Sequence, residues 1–232
     1  VTDAVTTRDQ PLIAIDVVPM SFSAAGLLVA TARRQYDPYA GQEALPGVLL
    51  HPAERLTDAA RRALRTKAGI GPETVRHLAQ IGAFDGPERD PRNAAISIAF
   101  VAVADSPAVA GRASDASEAA PSGAQPSAVW RDAAGAEPSL PFDHDRIIEA
   151  ALDHARTRLW RDTALTRALL GPRFTTADAA RLQTGLTGSA PDPGNLNRSL
   201  RTNAALVRSA EPAASAPGRR GGRPPVTWTW QG

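Results

Sequence analysis

The stretch from Leu45 to Ile70, LPGVLLHPAERLTDAARRALRTKAGI, constrains the fold most. It reads as a loop that enters an amphipathic helix and leaves it through a glycine. Leu56, Ala60, Ala63 and Leu64 recur at helical spacing, and Gly69 stands where a helix end favours a residue that tolerates left-handed backbone. Apolar runs flank it. Pro11–Phe22 and Gly26–Tyr36 read as two strands joined by a short turn at Ser23–Ala25, and Arg76–Gly86 and Ala94–Ala104 as two more. Strand pairs around a short helix predict an α+β sandwich.

The same stretch resembles the Nudix box: Gly, five residues, Glu, seven residues, Arg-Glu-aliphatic, one residue, Glu-Glu, one residue, Gly-aliphatic. Glu54, Arg62, Leu64, Gly69 and Ile70 stand at the motif's spacing, whereas the opening Gly is Val48 and the remaining Glu positions are Ala63, Thr66 and Lys67. Positions 63, 66 and 67 are spaced to share one helical face. In Nudix hydrolases that face offers carboxylates to magnesium, a hard cation that takes oxygen ligands. A methyl, a hydroxyl and an ammonium replace them here, so neither a metal site nor a catalytic residue is expected. Glu54 and Arg62 read as vestiges of the box.

Apolar residues make up 43% of the 232-residue chain and charged residues 22%, ordinary for a protein with a real core. Cysteine is absent and there are four histidines, which excludes disulfides and thiolate zinc sites and argues against a structural metal. Residues 1–10 read as a loose leader without the pattern of a signal peptide. No apolar run approaches the ~20 residues of a spanning helix, so a membrane is not an expected partner and a cytoplasmic home fits. The net charge of +2 hides a split: residues 1–155 hold 14 basic and 20 acidic side chains, residues 156–232 hold 12 and 4. That asymmetry points the C-terminal third at a polyanion.

Between the last two strands, FDGPERDPRN (Phe84–Asn93) is dense in charge and turn residues. Arg89 and Arg92 there are candidate phosphate ligands; the alternative is a solvated charged hairpin. Residues 105–128 are Ala/Ser/Pro/Gly-rich and read as a low-complexity insertion. Leu140–Trp160 reads as a helix with Asp143 as N-cap and Ile147, Ile148, Ala151, Leu152, Ala155 and Leu159 as its apolar stripe. His144 and His154 flank that stripe and read as packing or polar-face residues rather than metal ligands.

Beyond it, Thr163–Leu170 is a short helix stopped by Gly171-Pro172. Thr175 or Thr176 caps a second, Ala177–Leu186. Asp192 and Pro193 open a third that runs to about Ala205, with Leu196 and Leu200 inward. Asn195, Arg198 and Arg201, with Asn197 or Thr202 beside them, are left on the outward side. Arg and Asn are the side chains that pair bidentately with guanine and adenine in the major groove; a solvated helix face is the alternative. Leu206–Arg208 and Val226–Trp230 read as hairpin strands, with Arg219, Arg220 and Arg223 at the long tip between them. This order predicts a winged helix-turn-helix whose wing arginines grip phosphate or minor groove, and whose tryptophans are hairpin core.

The degenerate box, FDGPERDPRNAAISIAF (84–100), LPFDHDRIIEAAL (140–152) and the ending GRPPVTWTW together resemble the Nudix-related transcriptional regulators of NAD metabolism, the NrtR family. The resemblance implies a Nudix-type α/β/α sandwich over 11–155, followed by a winged helix-turn-helix over 156–232. It also implies a homodimeric repressor that requires no cofactor, binds a palindromic double-stranded operator and senses ADP-ribose or another NAD-related or phosphorylated metabolite. The candidate ligand-binding residues are Arg33, Arg34, Lys67, Arg89 and Arg92. The chain departs from the family in a less basic recognition segment, an eroded box and a long wing tip. Two other readings stand beside this one: a pyrophosphohydrolase of ADP-ribose-like substrates, and an inactive Nudix scaffold with a general nucleic-acid-binding tail.

Overall fold

The structure, a computed structural model, describes residues 10–86, 89–106, 126–135, 139–209 and 225–231. The expected leader, most of the 105–128 insertion and the wing-tip arginines Arg219, Arg220 and Arg223 lie outside the described residues.

Strand β1 (Leu12–Ser23) is the axis of a mixed sheet. Along one edge it pairs in parallel with β6 (Ala95–Ala104), from Leu12 opposite Ala95 to Met20 opposite Val103. Its other edge is divided. The first part pairs with β4 (Gly47–Leu49), and the last with β2 (Gly26–Arg33) through the turn at residues 24–25. Next to β6 lies β5 (Val75–Phe84); β2 carries β3 (Glu43–Ala44) and β7 (Ala128–Asp132). The four long strands match the apolar runs of the sequence. The two- to five-residue strands β3, β4 and β7 were not anticipated, because runs this short carry no readable period.

Alternation along the strands sends side chains to opposite faces. Ile15 and Val17 of β1 join Phe100, Ala102 and Ala104 of β6 on one face, where α1 (Leu56–Ala68) packs with Ala59, Ala60, Ala63, Leu64 and Ala68. Four of those five are alanines, so the helix lies close to the sheet. Gly69 ends it in the left-handed region (φ 66°), its N–H donating to the Arg65 carbonyl at 3.2 Å, as the sequence predicted. Val18, Met20, Ala99, Val101 and Val103 face the other way, onto Ile147, Ala151 and Ala155 of α2 (His144–Arg158). The result is an α/β/α sandwich.

That second face continues into the C-terminal helices. α3 (Thr163–Leu170) and α4 (Thr176–Thr187) contribute Leu165, Leu169, Leu182 and Leu186 to the same apolar cluster, which runs on through Leu196 and Leu200 to Trp228. α4 sits on the β1–β2 hairpin. Arg181 donates to the Ala24 carbonyl at 3.2 Å, and a Cβ on Gly185 would stand 3.0 Å from Leu27 Cβ, so only glycine permits this approach without displacement.

After α4 come α5 (Pro193–Thr202) and an antiparallel sheet of β8 (Arg173–Thr175), β10 (Thr227–Trp230) and β9 (Leu206–Arg208). Helix, strand, helix, helix and hairpin is the order of a winged helix-turn-helix. Each of α3, α4 and α5 is capped by a short polar side chain. The Asp162 side chain accepts from Leu165 N, Thr175 and Asp178 form a capping box, and Asp192 accepts from Asn195 N at 2.8 Å. The tryptophans lock the hairpin: Trp228 Nε1 donates to Thr176 Oγ1 at 2.9 Å and Trp230 Nε1 to the Gly171 carbonyl at 2.8 Å.

Candidate ligand cleft and nucleic-acid interface

The divided edge of β1 leaves a cleft of about 420 Å³ between the end of β2, the β4 segment, the C-terminal half of α1, the β5–β6 loop and the start of α2. Arg33, Arg34, Lys67, Arg89 and Arg92 all border it. The structure brings these five residues to one place and divides them into different situations.

Arg89 belongs to the floor. Its side chain is 4% exposed, with Nη2 donating to Asp16 Oδ2 at 2.9 Å and Nε standing 2.9 Å from Asp143 Oδ1, off the line of a good hydrogen bond. Asp16 Oδ2 also accepts from Ser97 Oγ at 2.6 Å. Flanked by two carboxylates and hydrogen-bonded to one of them, Arg89 shapes the floor of the cleft that it also lines. Asp143 differs from its expected role as N-cap. The residue is at the N-cap position of α2, but at φ 58° it makes no side-chain cap and pairs with Arg89. Asp145, in the first turn, instead ties the incoming chain to the helix, its Oδ2 accepting from Leu140 N at 2.8 Å.

His144 completes the floor. Its Nδ1 accepts the Leu45 N–H at 2.9 Å, so the neutral ring carries its proton on Nε2, which lies 3.7 Å from Asp16 Oδ1. Burial lowers the imidazole pKa, with Arg89 adding to the effect and Asp16 opposing it. A Cβ on residue 47 would come within 2.1 Å of Asp16 Oδ1, so Gly47 is what lets the floor exist under β4.

Arg92 is chelated by Asp90, Nε to Oδ1 at 2.9 Å and Nη2 to Oδ2 at 2.7 Å, and that pair holds the Asp90 carboxyl below its ordinary pKa. Among the described residues Arg34 donates to two carbonyls, Pro38 at 2.8 Å and Tyr36 at 3.3 Å, and its guanidinium lies 4.6 Å from the Phe142 ring. Arg33 is exposed. Lys67 is half-buried, with Nζ 5.9 Å from the centre of Tyr36, itself 70% exposed at the mouth. No described acidic side chain forms an ion pair with Arg33, Arg34 or Lys67.

The box residues are arranged otherwise than a metal site requires. Glu54 binds Arg62 through both oxygens, at 2.8 and 2.7 Å, and accepts from His51 N at 3.1 Å; Arg62 also donates to the Leu49 carbonyl. The Arg62 hydrogen bonds hold the Glu54 carboxyl down to a pKa of about 2. This pair staples the 49–55 loop to α1. Ala63, expected on the cleft face with Thr66 and Lys67, is instead fully buried between helix and sheet, because positions 59, 60, 63 and 64 form the apolar stripe. Of the three changed Glu positions, Thr66 and Lys67 turn to the cleft, beside Arg62. A hydroxyl and an ammonium beside a carboxylate already held by arginine do not fit magnesium. Among the described residues, no group of three or more His, Asp or Glu is placed to hold a metal ion.

On α5, Leu196 and Leu200 are buried and Asn195, Arg198 and Arg201 are exposed, as their spacing predicts. Arg198 Nη1 lies 3.4 Å from Asn195 Oδ1. Asn197 is half-buried and donates its amide to the Pro193 carbonyl of its own helix at 2.8 Å. Asp16, Ser97 and His144 were not singled out as site residues. A signal was present for the first two, as lone polar residues inside the apolar runs LIAIDVVPM and AAISIAF.

No protein-family model matches the chain. The crystal structure of Shewanella oneidensis NrtR complexed with a 27mer DNA superposes with a TM-score of 0.71, 19% identity, and coverage of 94% of this chain and 93% of that one. A MutT/nudix family protein from Enterococcus faecalis gives 0.67 at 19% identity, over 98% and 89%. In sequence, an ADP-ribose pyrophosphatase of Methanocaldococcus jannaschii is 35% identical over 69 residues, 30% of this chain and 39% of that protein. The structural likenesses, which run almost the full length of each chain, establish the fold: a Nudix-type α/β/α sandwich followed by a winged helix-turn-helix.

Proposed function

We propose that this chain is a ligand-responsive DNA-binding regulator, acting as a cytoplasmic repressor. Residues 11–155 sense ADP-ribose or a related phosphorylated metabolite without hydrolysing it, and residues 156–232 bind a palindromic operator as part of a homodimer. One observation carries the reading. A cleft of nucleotide size presents Thr66 and Lys67 where hydrolases of this box carry carboxylates, and the same chain continues into a winged helix whose exposed α5 face bears Asn195, Arg198 and Arg201. Arg219, Arg220 and Arg223 are assigned to the wing on their sequence position alone.

The geometry offers a path between the two functions. β2 ends at the cleft with Arg33 and contacts α4 at its beginning through Leu27. A ligand that favours one placement of β2 then favours one placement of α4 and α5, which is coupling only if it binds the two states with different affinity. The test is operator selection from random DNA followed by footprinting with and without ADP-ribose. Protection of a discrete palindrome whose affinity changes with ligand supports the reading; equal weak binding to all sequences at physiological salt sinks it.

The match to an ADP-ribose pyrophosphatase favours hydrolysis as a second reading. Robust, magnesium-dependent turnover of ADP-ribose, followed as phosphate release through a coupled phosphatase, would establish it.

A further inference from the structure

The cleft lacks the carboxylates that hold a cation, yet its charge is organised. Its acidic groups are mostly matched within the protein: Asp16 and Asp143 by Arg89, Asp90 by Arg92, Glu54 by Arg62. Among the described lining residues, Arg33, Arg34 and Lys67 are in no ion pair, although Arg34 feels the charges of Asp90, Asp16 and Asp37 at longer range. Counted with the matched groups, in which Arg89 alone faces both Asp16 and Asp143, the surroundings of the cleft keep one net positive charge, and the three cations outside any ion pair are where an anionic diphosphate would meet it. Of the three cations, Lys67 alone stands on the box helix, beside Thr66, at a position that the motif gives to a metal-binding carboxylate.

We propose that Lys67 supplies, as a fixed part of the chain, the positive charge that a divalent cation supplies in hydrolases of this box, so that the cleft holds a diphosphate-bearing ligand with no metal. The inference rests on the reading of the cleft as a nucleotide sensor and adds how the ligand is held. An ammonium has three donors for phosphate oxygens and a charge that acts at hydrogen-bond range. It has no coordination position in which a water could lose its proton and attack phosphorus. Replacing the cation by a lysine therefore keeps affinity and removes the nucleophile in one change, which suits a sensor that must release its ligand intact. Tyr36 assists by keeping the ammonium over its ring at the mouth, where cation–π attraction offsets part of the loss of hydration.

Titration calorimetry on the full chain decides the matter, with inorganic pyrophosphate and ADP-ribose as probes, each in EDTA and in excess magnesium. The wild type is expected to bind equally well in both. Lys67→Gln is expected to weaken binding about tenfold or more, about 1.4 kcal/mol by the affinity relation, and Lys67→Arg to retain most of it. In Lys67→Glu, affinity is expected to be lost in EDTA and partly regained with magnesium. Wild-type binding that requires magnesium, or unchanged affinity in Lys67→Gln, overturns the proposal. Lys67 lies half-buried at the end of α1, and circular dichroism of each variant separates loss of binding from loss of fold. If pyrophosphate binds through Lys67 without metal while DNA affinity ignores every ligand, the sensor reading fails and the role of Lys67 stands. If ADP-ribose changes DNA affinity only with magnesium, the reverse holds; if neither probe binds, both fail.

Discussion

Arg89 and the carboxylates around it show what a single side chain contributes to this cleft. Asp16 is 5% exposed, and its charge is tolerable there because Arg89 and the Ser97 hydroxyl compensate it. Arg89→Met removes the cation and strands the carboxylate. The expected cost is about 3–5 kcal/mol, the range for breaking a buried pair from one side, read as a lower midpoint in urea unfolding. Acid acts on the fold through three histidines, of which His144 is at this floor and His77 and His154 lie elsewhere. His77, His144 and His154 all have pKa values lowered chiefly by burial. The unfolded chain therefore binds protons that the folded chain refuses, and stability present above the ordinary histidine value of 6.5 is lost as the pH falls below it. The thermal midpoint should drop between about pH 7 and about pH 5, and a flat profile would contradict the burial of these rings. Glu54 behaves the same way at lower pH. Its pKa of about 2 lies below the ordinary 4.5, so its contribution is complete above 4.5 and disappears as the pH approaches 2; Glu54→Gln should flatten that part of the curve.

At the level of elements, helix α4 carries two separable duties. Its start is set by the Thr175–Asp178 capping box, in which Asp178 Oδ2 accepts from Thr175 N at 2.8 Å and Thr175 Oγ1 from Asp178 N at 3.1 Å. Thr175→Ala should cost about 1 kcal/mol and leave DNA recognition otherwise intact. Its other end is set by contact with the sheet. Gly185→Val places branched atoms where Leu27 Cβ already stands 3.0 Å from an added Cβ, so the helix must move off the β1–β2 hairpin. The expected result is a chain that still binds operator but responds less to ligand, measured as the ratio of DNA affinities with and without ADP-ribose. An unchanged ratio would remove β2 from the path of coupling.

For the whole molecule, the two halves share one apolar cluster from Met20 and Val101 through α2 and α3 to Leu200 and Trp228. Unfolding should therefore proceed as one transition, with tryptophan fluorescence and far-ultraviolet circular dichroism coinciding; separate transitions would show that the shared cluster does not couple the halves. The same molecule should bind DNA with a steep salt dependence, since 12 of its arginines lie after residue 155. Arg198→Ala should relax base preference if the residue reads a base edge, and weaken all sequences alike if it holds phosphate.

The sequence alone determined the long strands, the helices, the left-handed stop at Gly69 and the exposed face of α5. Each of these is a local matter of periodicity or capping, decided within a few residues along the chain. It also showed that the box had lost three of its four carboxylates, because residue identity at fixed spacing is enough for that. Only the tertiary structure decided which cleft arginines are free. Arg89 and Arg92 look alike in FDGPERDPRN, but one is held by Asp16 from 73 positions away and the other by Asp90 from two. His144 meets Leu45 across 99 positions. Pairings over such separations depend on how β1, β6 and α2 close around each other, and burial then decides whether a charge is spent within the protein or left for a ligand.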